Sequence, residues 1–359
     1  MKTRSIVIAL VLAIVIMAWG TDRVHAEGFR DYWVNPAYRN LSPQVSPLPK
    51  TARDNVPTIC NSYDEFKLAL KTNFENRVTS FSLRLLYNLN FSEAEINGVI
   101  NQAFGEIKSE DDYLFYNIVK RTIDASGFDG DVTLTYTMTY WTTLAQEQQV
   151  SQHVTEMLAQ IITSAMTDEE KNKKIHDWVV SNVQYDTEQN EIQHSAYAAL
   201  FLGKAVCQGY ALLMFKMLKE VGINTRIIFG QGNGNGSWQD HTWNLVYLCG
   251  DWYHVDATFD DPLPDVAGRI LYTYFNKSDT ELTDHKWQSG TYPSAPSSYV
   301  QGKCCLLSGT SLSDVIVILR IVSGISPNGT ICSGADKNGD GKFSLEEAIY
   351  ILQVVAGLR

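Results

Sequence analysis

Residues 203–213 read Gly-Lys-Ala-Val-Cys-Gln-Gly-Tyr-Ala-Leu-Leu, so that a cysteine stands where an apolar helical pattern begins. The apolar residues recur at three- and four-residue spacing up to Gly222, a residue type that commonly follows the last turn of a helix. Cys207 is therefore predicted in the first turn of a buried helix, where unpaired N–H groups and the positive end of the helix dipole favour the nucleophilic thiolate. A single cysteine beside an apolar helix is most often simple packing, so the interpretation depends on residues further along the chain.

The composition is that of a globular protein large enough for two domains. Of the 359 residues, 45% are hydrophobic and 19% are charged. The formal net charge is −11, which argues against nucleic acid or anionic lipid as the main partner.

The first 26 residues have the pattern of a secretory signal peptide. Lys2 and Arg4 precede an apolar run over residues 6–19, and small residues near Ala26 suit cleavage. An uncleaved anchor is the alternative, although the run is shorter than the roughly 20 residues that a membrane span needs. We therefore expect an exported protein, which would be secreted, periplasmic or at the cell surface, with no membrane span after cleavage.

The order of the predicted elements indicates an α+β protein. Residues 58–142 are predicted to form an N-terminal α+β extension, in which 131–141 alternates as a strand does and 109–123 is interpreted as a helix. Residues 143–287 carry helices followed by an antiparallel sheet and are predicted to form a second domain, which contains Cys207, with a flexible loop over 230–236.

The remaining segments are predicted to lie outside these two units. Residues 27–57 contain five prolines and are interpreted as an extended leader, and residues 288–302 are interpreted as a linker. Residues 303–359 contain a repeat, in which 311–324 matches 344–357 at an offset of 33. Each half is predicted to be a short amphipathic helix that buries its apolar face against the other.

A histidine and an aspartate on one predicted hairpin complete the chemistry of Cys207. A thiol nucleophile needs a base, and the base needs an acceptor on its other nitrogen. A two-residue turn at 249–250 puts Asp256 diagonally across from His241 on the same face, a turn at 250–251 keeps this parity, and a three-residue turn would reverse it. The three residues are predicted to act as nucleophile, base and orienting acid.

Three segments resemble those of the bacterial transglutaminase-like superfamily. They are Lys-Ala-Val-Cys-Gln-Gly-Tyr at 204–210, Asp-His-Thr-Trp-Asn-Leu-Val at 240–246 and Trp-Tyr-His-Val-Asp-Ala-Thr-Phe-Asp-Asp-Pro at 252–262. The resemblance implies a papain-like core and a Cys–His–Asp triad formed by Cys207, His241 and Asp256. The backbone N–H of Cys207 is a natural oxyanion donor at its helix start, and Tyr185 is a second candidate.

The triad would attack a carboxamide or peptide carbonyl, release an amine and leave a thioester. Water would make the protein a hydrolase, and a lysine amine would make it a crosslinking glutamine γ-glutamyltransferase. We expect a cysteine-protease-like hydrolase of a protein or peptide, with no cofactor for catalysis. The alternatives are the crosslinking enzyme, hydrolysis of an amide link to a sugar (as in the peptide N-glycanases of the superfamily), and a non-catalytic surface or scaffold module.

Residues 336–347 fill the positions of an EF-hand calcium loop. The ligands that the pattern assigns are Asp336, Asn338, Asp340, the carbonyl of Lys342, Ser344 and Glu347. The equivalent positions of the first repeat are Lys303, Cys305 and Leu307, which cannot hold calcium in this way. The sequence therefore predicts one structural Ca²⁺ ion.

The paired loop–helix repeats of residues 303–359 resemble dockerin modules. Dockerins couple secreted enzymes to cohesin partners or to cell-surface assemblies, including polysaccharide-degrading complexes. The resemblance implies a small all-α domain and a cohesin-like or cell-surface partner. The chain departs from the dockerin pattern in its first loop and at Glu347, where dockerins usually carry Asp.

The number of cysteines other than Cys207 does not allow all of them to pair in disulfides. Once Cys207 is set aside, five cysteines remain, so that one of them stays free or the disulfide framework is incomplete. Because an exported chain permits disulfides, a bridge from Cys332 to Cys304 or Cys305 is the pairing that we would test first.

Overall fold

The computed structural model describes residues 28–36, 56–163, 166–234, 236–266, 268–300, 312–325 and 342–358. Their strands form a five-stranded sheet, a four-stranded sheet and a two-stranded pair, and helices pack against the two larger sheets. This mixture of helices and mainly antiparallel strands confirms the α+β class. The predicted signal peptide lies outside the described residues.

The first half of the chain folds around the five-stranded sheet. Its strands are β1 (Phe29–Val34), β2 (Thr58–Cys60), β3 (Ser80–Leu85), β4 (Ile118–Phe128) and β5 (Asp131–Tyr140), in the spatial order β1-β4-β5-β3-β2. The helices of this half are α1 (Tyr63–Glu75), α2 (Glu93–Glu110) and the short α3 (Asp112–Tyr116). Phe66, Phe74 and Ile100 bury their side chains in a core with Leu83 and Tyr136 of the sheet.

Two expectations for this half are corrected. The helix predicted over 109–123 is wrong: α3 ends at Tyr116, and β4 begins at Ile118. β4 pairs with both β1 and β5, so that long-range strand pairing overrides the local helical pattern. Part of the predicted leader also joins the sheet, because β1 is its edge strand and Asn35 is completely buried.

The second half of the chain packs helices against the four-stranded sheet. The helices are α4 (Leu144–Ile161), α5 (Asp168–Asn182) and α6 (Cys207–Glu220), and the strand pair β6 (Gln184–Tyr185) and β7 (Lys204–Ala205) lies between α5 and α6 in the chain. The sheet consists of β8 (Thr225–Gly232), β9 (Gln239–Leu248), β10 (Asp251–Val255) and β11 (His285–Trp287), in the order β10-β9-β8-β11. The loop predicted over 230–236 is therefore shorter, because β8 continues to Gly232.

Helix α6 is the central helix of this half. Its side chains from Gln208 to Phe215 are all buried, and Leu212, Leu213 and Met214 have no exposed surface. A helix that is apolar on nearly every side has to lie inside the core. The helix predicted to begin at Cys207 is thus confirmed, and burial of residues 208–215 fixes the position of its first turn.

The hairpin of β9 and β10 has the predicted two-residue turn. Leu248 pairs with Asp251, so that Cys249 and Gly250 form the turn, and both have positive φ angles. The last pair is Asn244 with Val255. The strand register expected for a turn at 249–250 is confirmed.

Residues 288–300 pack against the core, although the sequence suggests a linker. The hydroxyl groups of Tyr292 and Tyr116 lie 3.0 Å apart. Ala295 is fully buried, and its N–H donates to the carboxylate of Asp279 at 3.0 Å. This segment therefore closes one side of the four-stranded sheet.

The C-terminal repeat forms two helices, α7 (Leu312–Val322) and α8 (Leu345–Val355). Val315 and Ile318 of α7 pack against Ala348 and Ile351 of α8 in a small apolar cluster. The prediction that the two helices bury their apolar faces against each other is confirmed.

Within the described ranges, no helix combines the length and the hydropathy that crossing a membrane requires.

Candidate active site

Cys207 is the first residue of α6 and lines a cavity of about 450 Å³. The preceding residue, Val206, is the extended N-cap and offers no side-chain cap, so that the first-turn N–H groups of α6 are not capped by its side chain. Gly209 allows this turn to approach its neighbours, because a Cβ there would lie 2.6 Å from the carbonyl oxygen of Gln193. The helix start therefore presents a half-buried thiol to a cavity, with the helix dipole behind it.

His241 and Asp256 form a buried hydrogen-bonded pair beside this cavity. Nε2 of His241 lies 2.6 Å from Oδ2 of Asp256, and both side chains are buried. The other carboxylate oxygen, Oδ1, accepts the backbone N–H groups of Thr258 at 3.0 Å and Phe259 at 3.2 Å. The chain that follows β10 thus holds the carboxylate in one orientation.

The thiol of Cys207 lies close enough to His241 to help raise the pKa of its imidazole. Because Nε2 is used by Asp256, Nδ1 is the nitrogen that remains for the thiol. The ring is packed on Phe259, with 4.4 Å between the ring centroids, which shields the pair from water. The structure therefore brings the three residues that the sequence assigned to one site close together.

Electrostatics favour a charged pair at His241 and Asp256. Burial alone would lower the pKa of His241, but the charge and hydrogen bond of Asp256, with a further contribution from Cys207, raise this pKa to about 10. Burial alone would raise the pKa of Asp256, but the charge of His241 and the hydrogen bonds from His241 and His285 hold it below its usual range. At neutral pH the site therefore contains an imidazolium next to a carboxylate.

His285 is a member of the site that the sequence analysis missed. Its Nε2 lies 2.9 Å from Oδ2 of Asp256, the same oxygen that faces His241. Its Nδ1 lies 2.8 Å from Oδ1 of Asp284. The residue sits on a strand of only three residues, which has no period of its own, so that the motif patterns gave no signal for it.

The two histidines and Asp256 are also the one cluster in the described ranges whose ligand atoms could converge on a metal ion. Two donors of one zinc ion at about 2.0–2.2 Å lie more than 3 Å apart in a tetrahedral site. The 2.6 and 2.9 Å separations found here are hydrogen-bond distances. As arranged, the cluster shares protons and does not fit an ion.

A second cavity of about 500 Å³ adjoins the first. It is lined by His241 and by apolar groups that include Phe259 and Leu263. Tyr185 and Asp240 line both cavities and therefore form part of the ridge between them. Burial raises the pKa of Tyr185 far above its ordinary value, so that its hydroxyl remains a donor.

His194 is a second residue that the sequence analysis missed. It lines the Cys207 cavity and stacks on Trp141 with 4.6 Å between the ring centroids. Both ring nitrogens are buried without a hydrogen-bond partner, and burial lowers the pKa of His194 to about 4. The ring is therefore neutral at physiological pH.

The predicted calcium loop is described only in part. Asp336, Asn338 and Asp340 lie outside the described residues. Ser344 caps α8, and the carboxylate of Glu347 accepts its N–H at 2.8 Å and its hydroxyl at 2.6 Å. Calcium binding and the six assigned ligands stay a prediction.

The cysteines outside the site differ in state. Cys60 is a buried free thiol, and Cys249 in the hairpin turn is disulfide-bonded. Cys304, Cys305 and Cys332 lie outside the described residues, so that the pairing suggested for Cys332 stays a prediction.

Comparison with known proteins places a known domain over this site. Residues 155–257 match the family model of the transglutaminase-like superfamily, so that the chain contains a domain of this kind. A mouse (Mus musculus) protein named Kyphoscoliosis peptidase is 29% identical over 145 residues, which are 37% of this chain and 22% of that protein. Its human (Homo sapiens) counterpart is 28% identical over 132 residues, which are 33% of this chain and 20% of that protein.

The chain thus spans about a fifth of the curated relatives that it matches. A solved structure described as that of a TGase shares 11% identity with a TM-score of 0.28, over 59% of this chain and 61% of that one. A likeness at this level adds nothing to the assignment of function.

Proposed function

We propose that this protein is a thiol acyl-transfer enzyme that hydrolyses a peptide or amide bond. The observation that carries the proposal is the buried His241–Asp256 pair, joined at 2.6 Å and lying beside Cys207 at the start of α6. A nucleophile, a base and an acceptor that orients the base are the parts that such chemistry needs. The transglutaminase-like domain over residues 155–257 supports the same class of reaction.

The reaction would proceed in two halves. The sulfur of Cys207 attacks the carbonyl carbon, and the proton held by His241 goes to the leaving amine, which departs as the thioester forms. Water then attacks the thioester, His241 takes its proton, and the acid leaves with the thiolate restored. The N–H of Cys207 and the hydroxyl of Tyr185 are proposed as donors to the oxyanion.

The two cavities suggest where the substrate would lie. The acyl part must reach Cys207, and the leaving amine must reach His241, which protonates it. Because Cys207 lines the first cavity and His241 lines the second, the acyl side is assigned to the first and the amine side to the second. The scissile carbonyl would then cross the ridge near Tyr185.

One observation favours a transferase as the second candidate. Asp240 and Asp261 line the cavity on the His241 side, and two carboxylates would attract the cationic side chain of a lysine. A lysine amine that entered there in place of water would give a glutamine γ-glutamyltransferase. The residues that form the thioester would be unchanged.

The test is a panel of glutaminyl peptides and short proteins with the wild-type protein and Cys207→Ser. A hydrolase releases ammonia or a new amino terminus, while incorporation of an added lysine analogue identifies a transferase. Absence of both, together with no covalent capture by a peptide carrying a thiol-reactive warhead, would refute an enzymatic role and favour a binding module.

The tail is proposed to bind one Ca²⁺ ion through residues 336–347 and to present residues 303–359 to a cohesin-like or surface partner. Calorimetric titration of the full chain should show one calcium site that is lost in Asp336→Ala and Glu347→Gln. Unchanged binding in both variants would contradict the assigned ligands. Export is proposed as well, and fractionation of cells that express the full chain would test it.

A further inference from the structure

His285 lies on the far side of Asp256 from His241. Oδ2 of Asp256 lies within hydrogen-bond distance of Nε2 of His241, at 2.6 Å, and of Nε2 of His285, at 2.9 Å. The remaining nitrogen of His285, Nδ1, faces Oδ1 of Asp284 at 2.8 Å. Both nitrogens of this buried ring therefore point at carboxylate oxygens.

The number of hydrogen-bond donors that these contacts need determines which ring nitrogens of His285 carry protons. An ionised carboxylate only accepts hydrogen bonds, and a neutral imidazole has a single N–H. Burial alone would raise the pKa of both carboxylates, but their hydrogen bonds hold the pKa of Asp284 and of Asp256 below the ordinary value. Both contacts of His285 can be hydrogen bonds only if both ring nitrogens carry protons.

We propose that His285 is a positioning residue of the active site, a buried imidazolium that holds Asp256 in place for His241. The inference rests on the proposed function, because it describes how the base of that reaction is oriented. His285 does not touch the reacting atoms and acts only through Asp256.

The sheet explains how the two histidines come together. In register, His241 of β9 pairs with Gly230 of β8, and His285 of β11 pairs with Gly232. A Cβ at position 232 would lie 2.9 Å from the Phe259 ring and 3.1 Å from the His241 ring. Gly232 on the strand between them thus leaves room for the His241 ring, and the two imidazole centroids lie 5.4 Å apart.

The charge of His285 has a consequence for the base. A cation on Oδ2 of Asp256 offsets part of the negative charge that binds the proton of His241. His241 can then release its proton to the leaving amine more readily than it could beside an unpaired carboxylate. The titratable groups around His285 are Asp256, Asp284, His241, Tyr274 and, by a charge interaction only, His254.

The first experiment uses the wild-type protein with ¹⁵N-labelled histidine. Nuclear magnetic resonance at neutral pH should show slowly exchanging protons on both ring nitrogens of His285, assigned by comparison with His285→Gln. A single N–H on this ring would overturn the proposal. This measurement needs no variant to be active.

The second experiment compares His285→Gln and His285→Ala with His254→Gln. Glutamine keeps a neutral donor near Nε2, alanine removes it, and His254 is an equally buried histidine that faces Asp279 at 2.8 Å. Alkylation of Cys207 by iodoacetamide at neutral pH should fall about tenfold in His285→Ala and stay within about twofold in the control. In His285→Gln, the titration of His241 should move up by about one pH unit.

The outcomes separate this inference from the proposed function. Loss of alkylation in His241→Ala combined with wild-type behaviour of both His285 variants would overturn the role of His285 alone. Alkylation that is unchanged in His241→Ala would overturn the proposed function itself. Equal losses in the His285 and His254 variants would show a purely structural role.

Discussion

Replacement of Asp256 by asparagine is the sharpest test of the site. The carboxylate is buried. It accepts four hydrogen bonds, two from histidines on Oδ2 and two from backbone N–H groups on Oδ1. Asparagine has nearly the same shape but only one oxygen. Asp256→Asn therefore removes the charge and sets the amide NH2 group against either both histidines or both backbone N–H groups.

The magnitude follows from the proton affinity of His241. Its pKa is raised from 6.5 to about 10, mainly by Asp256 and further by Cys207, against the effect of burial, and this rise corresponds to about 5 kcal/mol of preference for the imidazolium. Without the charge of Asp256, burial favours the neutral imidazole. Loss of the orienting acceptor costs up to about 10⁴-fold in turnover in a serine-protease triad, and we expect a fall of about 10²–10⁴-fold here.

The assay is alkylation of Cys207 at pH 7, followed by peptide mapping that separates Cys207 from the buried free thiol of Cys60. Asp279→Asn is the matched control, because Asp279 holds His254 at 2.8 Å and does not contact the site. Alkylation in Asp256→Asn that stays within about threefold of wild type, in a variant that remains folded by circular dichroism, would refute the reasoning.

Three further predictions concern pH and stability. The stabilisation that comes from the raised pKa of His241 is fully present below pH 6.5 and is lost as the pH rises through about 10, so urea unfolding should show a decline over this range that is absent in His241→Gln. Gly209→Ala should lower the free energy of unfolding by about 1–3 kcal/mol, because the new Cβ would clash with the backbone. Gly98→Ala in α2 is the control and should be neutral or stabilising, because its new Cβ would meet nothing within 4 Å. Equal effects of the two variants would contradict the close backbone approach at Gly209. Asp112→Asn should lower the free energy of unfolding by about 3–5 kcal/mol, measured by thermal or urea unfolding. The reason is that Asp112 binds Arg226 of β8 through two contacts of 2.6 and 3.1 Å and so joins the first half of the chain to this strand. A loss below about 1 kcal/mol would show that this link is dispensable.

Much of the site could be predicted from local sequence. Helix α6 begins at Cys207, because the apolar spacing after it demands burial on nearly every side. The register of the β9–β10 hairpin follows from the two-residue turn at Cys249 and Gly250, and the period of a strand then puts His241 and Asp256 on one face. These features depend on neighbours within about 15 residues of each other in the chain, which is why motifs reveal them.

Other elements could not be predicted because distant segments determine them. β4 carries a locally helical pattern, yet it forms a strand because β1 and β5 supply partners on both edges. Residues 288–300 look like a linker, but Ala295 and Tyr292 find partners on the core. Local propensity is weak compared with the backbone hydrogen bonds and buried area that such pairing supplies.

The sequence by itself determined where the thiol, the base and the orienting acid lie, since each stands at a helix start or a hairpin position that short-range patterns define. Only the tertiary structure decided what holds them. His285 reaches Asp256 from 29 residues further along the chain, on a three-residue strand whose place is set by pairing with β8. A strand of three residues is too short to show an alternation of apolar and polar residues in the sequence. Its pairing with β8, and not its own residues, therefore puts the second histidine beside the carboxylate.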